Sequence, residues 1–233
     1  KYYQAFKDID WDRHPIVPTD PCFRLEPDHP LGKTTWYQNL PEERQALLGI
    51  DLVTSSMKTG IVFENVLQRG LLELALTIPD RDPKFRYVYH EVIEEAQHSL
   101  MFQEFIDRSS RPTQAMSRSD KHLTRFVAGL GRRFPELFLL FVLGGEEPID
   151  HDQRRALQHR QSLHPLLARI MQIHVTEEAR HLCFARGWLE ERVPQLSAAK
   201  RCLLCLAAPL LLGFMARAML EPPESLVKQH AIP

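Results

Sequence analysis

The sequence predicts an all-α fold, a bundle with four core helices. Signals for helix starts and ends recur along the chain after residue 40. No segment shows the apolar and polar alternation, bounded by hairpin turns, that indicates a strand. A hydrophobic fraction of 44% in 233 residues is sufficient for a buried core, so we expect a single domain.

Residues 1–40 are predicted to form an extended N-terminal arm wrapped over the core. This segment carries five prolines and no clear periodicity. The predicted core, residues 41–193, begins with a long helix from about Pro41 to Leu76. Two glutamates suit the positive end of this helix, and Gly60 is a position where it could break.

Two further helical regions follow in the predicted core. Asp82 as cap and Pro83 at the first helical position open a helix that runs to about Asp107. The next region covers about Ser119–Gln161. We expect it to consist of several pieces, because glycines and a proline interrupt it: Gly129, Gly131, Gly144, Gly145 and Pro148.

The last two predicted helices differ in character. Pro165 opens a long helix to about Val193, and an apolar C-terminal helix covers residues 195–220. The segment Leu203–Leu220 is just short of a usual membrane span, and Pro209 and charged Arg217 lie within it. We therefore expect a helix buried in the protein or packed at an interface, and no transmembrane span.

Charge and cysteine content narrow the class of protein. A formal net charge of −1 gives no reason to expect nucleic acid or an anionic membrane as partner. Four cysteines are too few for a disulfide scaffold, and no secretory signal is visible, so a cytoplasmic location is favoured. The Cys202-x-x-Cys205 pair lies in an apolar run and is interpreted as buried structural thiols.

Two E-x-x-H motifs carry the chemistry of this sequence. In HVTEEARH, His174, Glu178 and His181 share one helix face, because residues three, four and seven apart point the same way. The stretch EEAQH places Glu95 and His98 in the same relation on the preceding core helix. A bundle that binds two metal ions in its core uses one such motif from each of two helices and a glutamate from each of two others.

The two remaining ligands of such a site are single glutamates, and we expect each of them to lie among apolar residues of a core helix. Glu64 lies in GIVFENVLQ, 31 residues before Glu95, where an unpaired carboxylate is costly to bury. Glu147 lies 31 residues before Glu178, after an apolar run, and is favoured by the equal interval. Its neighbour Glu146 remains an alternative. The repeated interval suggests two helix pairs related by approximate two-fold symmetry.

The types of ligand indicate which metals the site would bind. Mixed nitrogen and oxygen ligands without thiolate favour iron or manganese over structural zinc. His174 is a seventh ligand candidate, and its alternative is a core histidine hydrogen-bonded to Glu178 or Glu177. Nearby Glu91, Glu94 and Glu177 are interpreted as surface groups or as groups that support the ligands.

These residues match a known family. The arrangement resembles the arylamine N-oxygenases of the p-aminobenzoate N-oxygenase type, and HVTEEARH is its most specific part. The resemblance implies a ferritin-like bundle in which Glu64, Glu95 and His98 hold one iron ion. It implies that Glu147 and the three HVTEEARH ligands hold the other. The expected metal ligands are Glu64, Glu95, His98, Glu147, His174, Glu178 and His181.

The family likeness implies a reaction and partners. It implies activation of O2 at two iron ions and oxidation of an amine nitrogen towards the hydroxylamine and nitro levels. Electrons come from a separate reductase or ferredoxin, since no nucleotide-binding motif is evident. The apolar surroundings of the ligands favour an apolar or aromatic amine as substrate. The likeness also suggests a homodimer, with the apolar C-terminal helix as candidate interface.

Three other functions stay open from the sequence. The first is a diiron hydroxylase or desaturase that acts on a lipid or carrier-bound substrate, for which the apolar segment Leu203–Leu220 could line a channel. The second is iron handling in the manner of ferritins. The third is a helical scaffold without metal.

Overall fold

The computed structural model describes residues 2–113 and 118–233, and the side chains of these residues other than those at 118–123, 218 and 220. The described residues form eight α-helices and three short 3-10 turns, without a strand. The predicted all-α class is therefore confirmed. The helices are α1 Thr35–Gln38, α2 Glu42–Ala75, α3 Pro83–Ser109, α4 Arg118–Arg133, α5 Pro135–Gln158, α6 Pro165–Arg192, α7 Ala198–Leu220 and α8 Glu224–His230.

Helix α2 is continuous, so the break that the sequence left possible near Gly60 does not occur. Gly60 lies inside the helix, and a side chain added there would bring its Cβ within 3.2 Å of the Phe102 ring on α3. The glycine therefore allows α3 to pack closely against α2. A glycine that is needed for close packing carries the same sequence signal as one that ends a helix.

The third helical region is divided at Phe134, between α4 and α5, and α5 ends at Gln158 before the short 3-10 turn Arg160–Ser162. Gly144, Gly145 and Pro148 lie inside α5, so the expectation of breaks at these three positions is wrong. A Cβ at Gly145 would lie 2.2 Å from the Phe63 ring, so this glycine also serves close helix packing. The continuous α5 presents one face to the bundle centre.

Local sequence sets where the two E-x-x-H helices begin. The Asp82 carboxylate accepts a hydrogen bond from the Lys84 backbone N–H at 2.9 Å, and Pro83 occupies the first turn of α3. Pro165 opens α6 in the same way, after a His164 side chain that accepts a hydrogen bond from a backbone N–H. These caps begin both helices well before their motifs, so that the motifs lie in regular helix.

The N-terminal segment lies over one side of the bundle. Ala5, Ile9, Trp11 and Phe23 are buried in one apolar cluster with residues of α2, α3 and α6. The Trp11 indole N–H donates to the Ala5 carbonyl at 2.7 Å, which fixes the path of the segment. This cover removes the ends of the ligand-bearing helices from water.

The C-terminal end of the chain is fixed to α2 by a buried carboxylate. Asp51 accepts two hydrogen bonds from the Arg111 guanidinium, at 2.5 and 2.7 Å. It also accepts from Gln229 at 2.8 Å and contacts the His230 ring nitrogen at 2.8 Å. Helix α8 is thereby held against α2 and the loop after α3.

Helix α7 is the most exposed long apolar element. Leu203, Leu206 and Leu210 are 53%, 66% and 77% exposed. Cys202 and Cys205 are exposed too, so the interpretation of these thiols as buried is wrong. Two described helices are apolar and long enough to cross a membrane: Glu42–Ala75, with half of the apolar window buried, and Ala198–Arg217, with 6% buried.

The close contact of α2 and α4 gives a test of the fold. A Cβ at Gly131 would lie 2.0 Å from the Gly70 carbonyl oxygen, a backbone atom that cannot move aside without the helix. We expect Gly131→Ala to lower the free energy of unfolding by about 1–3 kcal/mol, as overpacking does. Urea unfolding followed by circular dichroism measures this change.

A matched control lies on α6. A Cβ at Gly187 meets nothing within 4 Å, so Gly187→Ala should raise the free energy of unfolding by about 0.5–1 kcal/mol through helix propensity. A Gly131→Ala protein as stable as the parent would contradict the α2–α4 contact.

Candidate metal centre

Eight ionisable side chains meet at the centre of the bundle, and each is at most 1% exposed. They come from α2, α3, α5 and α6, and every one belongs to a group whose ligand atoms lie within 4.8 Å of one another. The eight are Glu64 on α2, Glu91, Glu95 and His98 on α3, Glu146 on α5, and His174, Glu178 and His181 on α6.

Two carboxylates lie between the imidazoles of the two E-x-x-H motifs. One Glu95 oxygen is 3.1 Å from His98 Nδ1, and the other is 3.0 Å from His181 Nδ1. Glu178 Oε1 lies 3.5 Å from His98 Nδ1 and 3.1 Å from His181 Nδ1. Each carboxylate therefore reaches both imidazoles, which is the arrangement that bridging ligands of two ions require.

Glu64 and His174 complete the side of the cluster nearest His98. Glu64 Oε1 lies 3.8 Å from His98 Nδ1 and 3.5 Å from His174 Nε2. His174 Nε2 is 3.9 Å from Glu178 Oε1. The sequence had grouped His174 with the His181 ion alone. In the structure it belongs both to a group with Glu64 and His98 and to a group with Glu146 and Glu178.

The structure places Glu146, and not Glu147, in the cluster. Glu146 is fully buried and shares a group with Glu178 and His174. The Glu147 side chain is 47% exposed and accepts a hydrogen bond from Arg186 at 2.7 Å. The expectation for Glu147 is therefore wrong. One residue along an α-helix rotates the side chain by about 100°, so neighbouring glutamates cannot both face the centre.

Two further carboxylates contact the Nε2 atoms of His98 and His181, which point away from the centre of the cluster. Glu177 on α6 lies 3.0 Å from His98 Nε2 on α3, and Glu94 on α3 lies 2.8 Å from His181 Nε2 on α6. Arg180 donates to Glu94 at 2.6 Å. Each outer carboxylate can accept a hydrogen bond from Nε2–H, which orients the ring with Nδ1 towards the cluster.

The sequence held a signal for these outer carboxylates. Both motifs read E-E-x-x-H, and in both the first glutamate crosses to the histidine of the other helix. The sequence had left Glu94 and Glu177 open between a surface and a supporting role. Both are buried, so the supporting role holds.

Many polar atoms of the cluster have no hydrogen-bond partner. These atoms are Glu64 Oε2, Glu178 Oε2, His174 Nδ1 and both oxygens of Glu91 and of Glu146. A buried polar atom without a partner costs free energy, and a buried carboxylate needs a cation or a proton. The donor set therefore fits a pair of metal ions, which would satisfy several of these carboxylate oxygens together.

The electrostatics of the metal-free cluster agree with this fit. Burial raises the pKa of Glu64 and of Glu146 well above the usual range, and neighbouring carboxylates raise both further. Burial also raises the pKa of Glu91 to about 8. Burial lowers the pKa of His98, but hydrogen bonds to Glu177 and Glu95 outweigh it and raise the value to about 9. Without a cation, protons balance part of the charge.

Fold and cluster together define a class: ferritin-like helical bundles whose core carboxylates and imidazoles can hold metal. The chain belongs to the p-aminobenzoate N-oxygenase AurF family, whose family model matches residues 1–233. The resemblance seen in the sequence is confirmed, and with it membership of an oxygenase family.

Relatives of this chain include proteins from two mycobacteria. Uncharacterized proteins of Mycobacterium tuberculosis (strain CDC 1551 / Oshkosh) and Mycobacterium bovis (strain ATCC BAA-935 / AF2122/97) are each 36% identical over 233 residues. The match covers 99% of this chain and 68% of each relative. No solved structure matches the chain.

The raised pKa values predict how stability depends on pH. In the metal-free folded protein, His98 and Glu91 hold protons up to about pH 9 and 8, whereas the unfolded chain loses them near 6.5 and 4.5. Stability from both groups is complete below the unfolded values and is lost as pH rises through the folded ones. The pKa values of Glu95 and His174 are lowered, so these groups titrate below this range.

We therefore expect the melting temperature of the metal-free protein to fall between about pH 7 and pH 9. Bound metal displaces the same protons, so the rise in melting temperature that Mn²⁺ produces should grow over this range. Thermal unfolding with EDTA and with Mn²⁺ at each pH measures both quantities. A metal-free protein that gains stability towards pH 9 would contradict these protonation states.

Proposed function

We propose that this chain is a diiron-dependent oxygenase that oxidises the amine nitrogen of a small molecule. The observation that carries the proposal is the buried cluster of mutually facing carboxylates and imidazoles, many of whose atoms have no protein partner. Membership of the p-aminobenzoate N-oxygenase AurF family supports the type of reaction.

Side chains of four helices would hold the two ions. Glu64 and His98 would hold one ion and Glu146 and His181 the other, and Glu95 and Glu178 reach the histidines of both. His174 lies beside both groups. Bound iron would supply the electrons that activate O2, as in carboxylate-bridged centres of this kind. Manganese accepts the same ligands, so metal analysis of the purified protein decides between them.

The protein around the cluster would position the ligands and exclude water. The crossed contacts of Glu177 with His98 and of Glu94 with His181 fix both imidazole rings. The Phe102 ring lies 5.5 Å from the His174 ring and closes one side of the cluster with apolar surface. An amine must lose its hydration water to enter this site, which favours an apolar or aromatic substrate.

A small apolar cavity marks a route by which a substrate could approach. It has a volume of about 30 Å³, enough for roughly two water molecules, and Phe63 beside Glu64 contributes to its wall. Met215 and Met219 of α7 also line it. Methionine side chains are flexible, so we propose that they move to admit the amine.

The proposed reaction requires partners. The electrons would come from a separate reductase or ferredoxin, and the four free thiols agree with a cytoplasmic location. We also propose a homodimer, because α7 exposes Leu203, Leu206 and Leu210 along an apolar helix. Light scattering that gave the mass of a monomer would contradict the dimer.

Neighbouring glutamates on α5 test the metal site directly. Glu146→Gln should leave the protein with about one ion per chain after anaerobic loading with Fe²⁺, because a neutral amide replaces a buried ligand. Glu147→Gln should bind two ions, since that side chain only pairs with Arg186 at the surface. Elemental analysis measures both. Equal iron content in the two variants would contradict the assignment of Glu146.

The proposed activity is tested with a panel of substrates. Protein loaded with Fe²⁺ and exposed to O2 with a chemical reductant in place of the reductase should convert p-aminobenzoate or a related arylamine to hydroxylamine and nitro products, which mass spectrometry detects. His181→Ala, which removes a ligand, is the control and should give none. A protein that binds two irons yet oxidises only acyl chains would replace N-oxygenation with hydroxylation or desaturation.

A further inference from the structure

Glu91 is a buried carboxylate for which the family resemblance gives no role. It lies on α3, one turn before Glu95 on the same helix face, and it is 1% exposed. Neither of its oxygens has a hydrogen-bond partner. A glutamate buried in this way is costly unless a cation or a proton accompanies it.

The position of Glu91 is defined by the metal cluster. A Glu91 oxygen lies within 4.8 Å of ligand atoms of Glu95 and His181, the same spacing that joins the other groups. The nearby Glu94 carboxylate differs from Glu91 because it has two partners: it contacts His181 Nε2 at 2.8 Å and accepts a hydrogen bond from Arg180 at 2.6 Å. The His181 imidazole attracts the Glu91 carboxylate, but it also lies 3.0 Å from Glu95 and 3.1 Å from Glu178.

The approximate symmetry of the two motif helices assigns Glu91 a counterpart. On α3 the inward residues are Glu91, Glu95 and His98, and on α6 they are His174, Glu178 and His181, both at intervals of four and three. Glu91 therefore occupies on α3 the place that His174 occupies on α6. Each motif helix therefore contributes one potential ligand residue in addition to the glutamate and histidine of its E-x-x-H motif.

We propose that Glu91 is an eighth protein ligand of the dinuclear centre and would bind the same ion as Glu95 and His181. The inference rests on the two-metal site of the proposed function. It extends the seven-ligand set of the family likeness by one carboxylate on the side of the cluster opposite Glu64.

The added carboxylate changes the charge balance of the centre. Glu64, Glu91, Glu95, Glu146 and Glu178 together offer five negative charges when ionised, whereas two divalent ions carry four positive charges. An excess of negative charge stabilises the trivalent ions relative to the divalent ones. Glu91 thereby favours the oxidised pair, and its removal should raise the reduction potential of the centre.

The test uses Mn²⁺ as a probe that is stable in air at neutral pH. Titration calorimetry compares wild-type protein with Glu91→Gln and Glu91→Ala, because the glutamine amide oxygen could still bind weakly. We expect two ions in wild type and a loss of at least about ten-fold in affinity for one of them in both variants. Glu136→Gln, which changes an equally hidden glutamate of α5 outside the cluster, is the control and should match wild type.

A crystal structure of the Mn²⁺-loaded wild type gives a second readout. Anomalous scattering should place one ion at about 2.0–2.2 Å from a Glu91 oxygen, the distance of a carboxylate on a first-row divalent ion. The metal-free Glu91→Gln protein should melt no lower than wild type, since the change removes an unpaired buried carboxylate. Its melting temperature should rise less on addition of Mn²⁺.

Three outcomes would overturn the proposal and separate it from the diiron assignment. Two ions bound with unchanged affinity in Glu91→Gln and Glu91→Ala would leave the two-metal site intact and remove Glu91 from it. An equal loss of melting temperature with and without Mn²⁺ would give Glu91 a purely structural role. A wild-type protein that binds no ion would overturn the proposed function itself.

Discussion

The structure depends on one constraint, the burial of many like charges at the centre of a helical bundle. Eight ionisable groups lie within a few ångströms of one another, and five of them are carboxylates. Such a cluster is unfavourable in a low-dielectric interior unless cations balance it. Burial and neighbouring carboxylates raise the pKa of Glu64 and of Glu146, so protons can neutralise part of this charge where no cation does. Bound cations would therefore stabilise the bundle.

The crossed carboxylate and imidazole contacts connect the fold to the site. Glu94 and Glu177 each extend from one motif helix to the histidine of the other, so α3 and α6 are joined at both ends of the cluster. The same contacts orient the Nδ1 atoms of His98 and His181 inwards. Because these contacts hold the rings from outside the cluster, the positions of both imidazoles are fixed by the protein itself. The doubled E-E-x-x-H motif therefore serves helix pairing and also supplies four of the potential metal ligands and their supporting carboxylates.

Much of the fold and of the site could be predicted from the spacing of residues along helices. Glu64 and both E-x-x-H motifs could be found because residues three and four apart share a helix face and because apolar residues surround Glu64. Glu146 could not be separated from Glu147, since their difference is a rotation of α5 that packing against Phe63 decides. Glu91 carried the same spacing as His174, but clustered glutamates on a helix are usually solvated, and only burial distinguishes the two cases.

Helix α7 exposes leucines on one face and packs against the buried core of the bundle with the other. Its Met215 packs near Gly145 on α5, and Met215 and Phe63 both line the small cavity. Gly145 directly precedes Glu146 in the chain, and Phe63 directly precedes Glu64. Displacement of α7 would therefore open space beside two ligand helices while α3 and α6, joined by their crossed carboxylates, stay in place. An exposed apolar helix costs solubility, so its retention requires a compensating role. Access to the centre and cover by a second subunit are roles that the same helix can fill, because its outer leucines and its inner methionines lie on different faces.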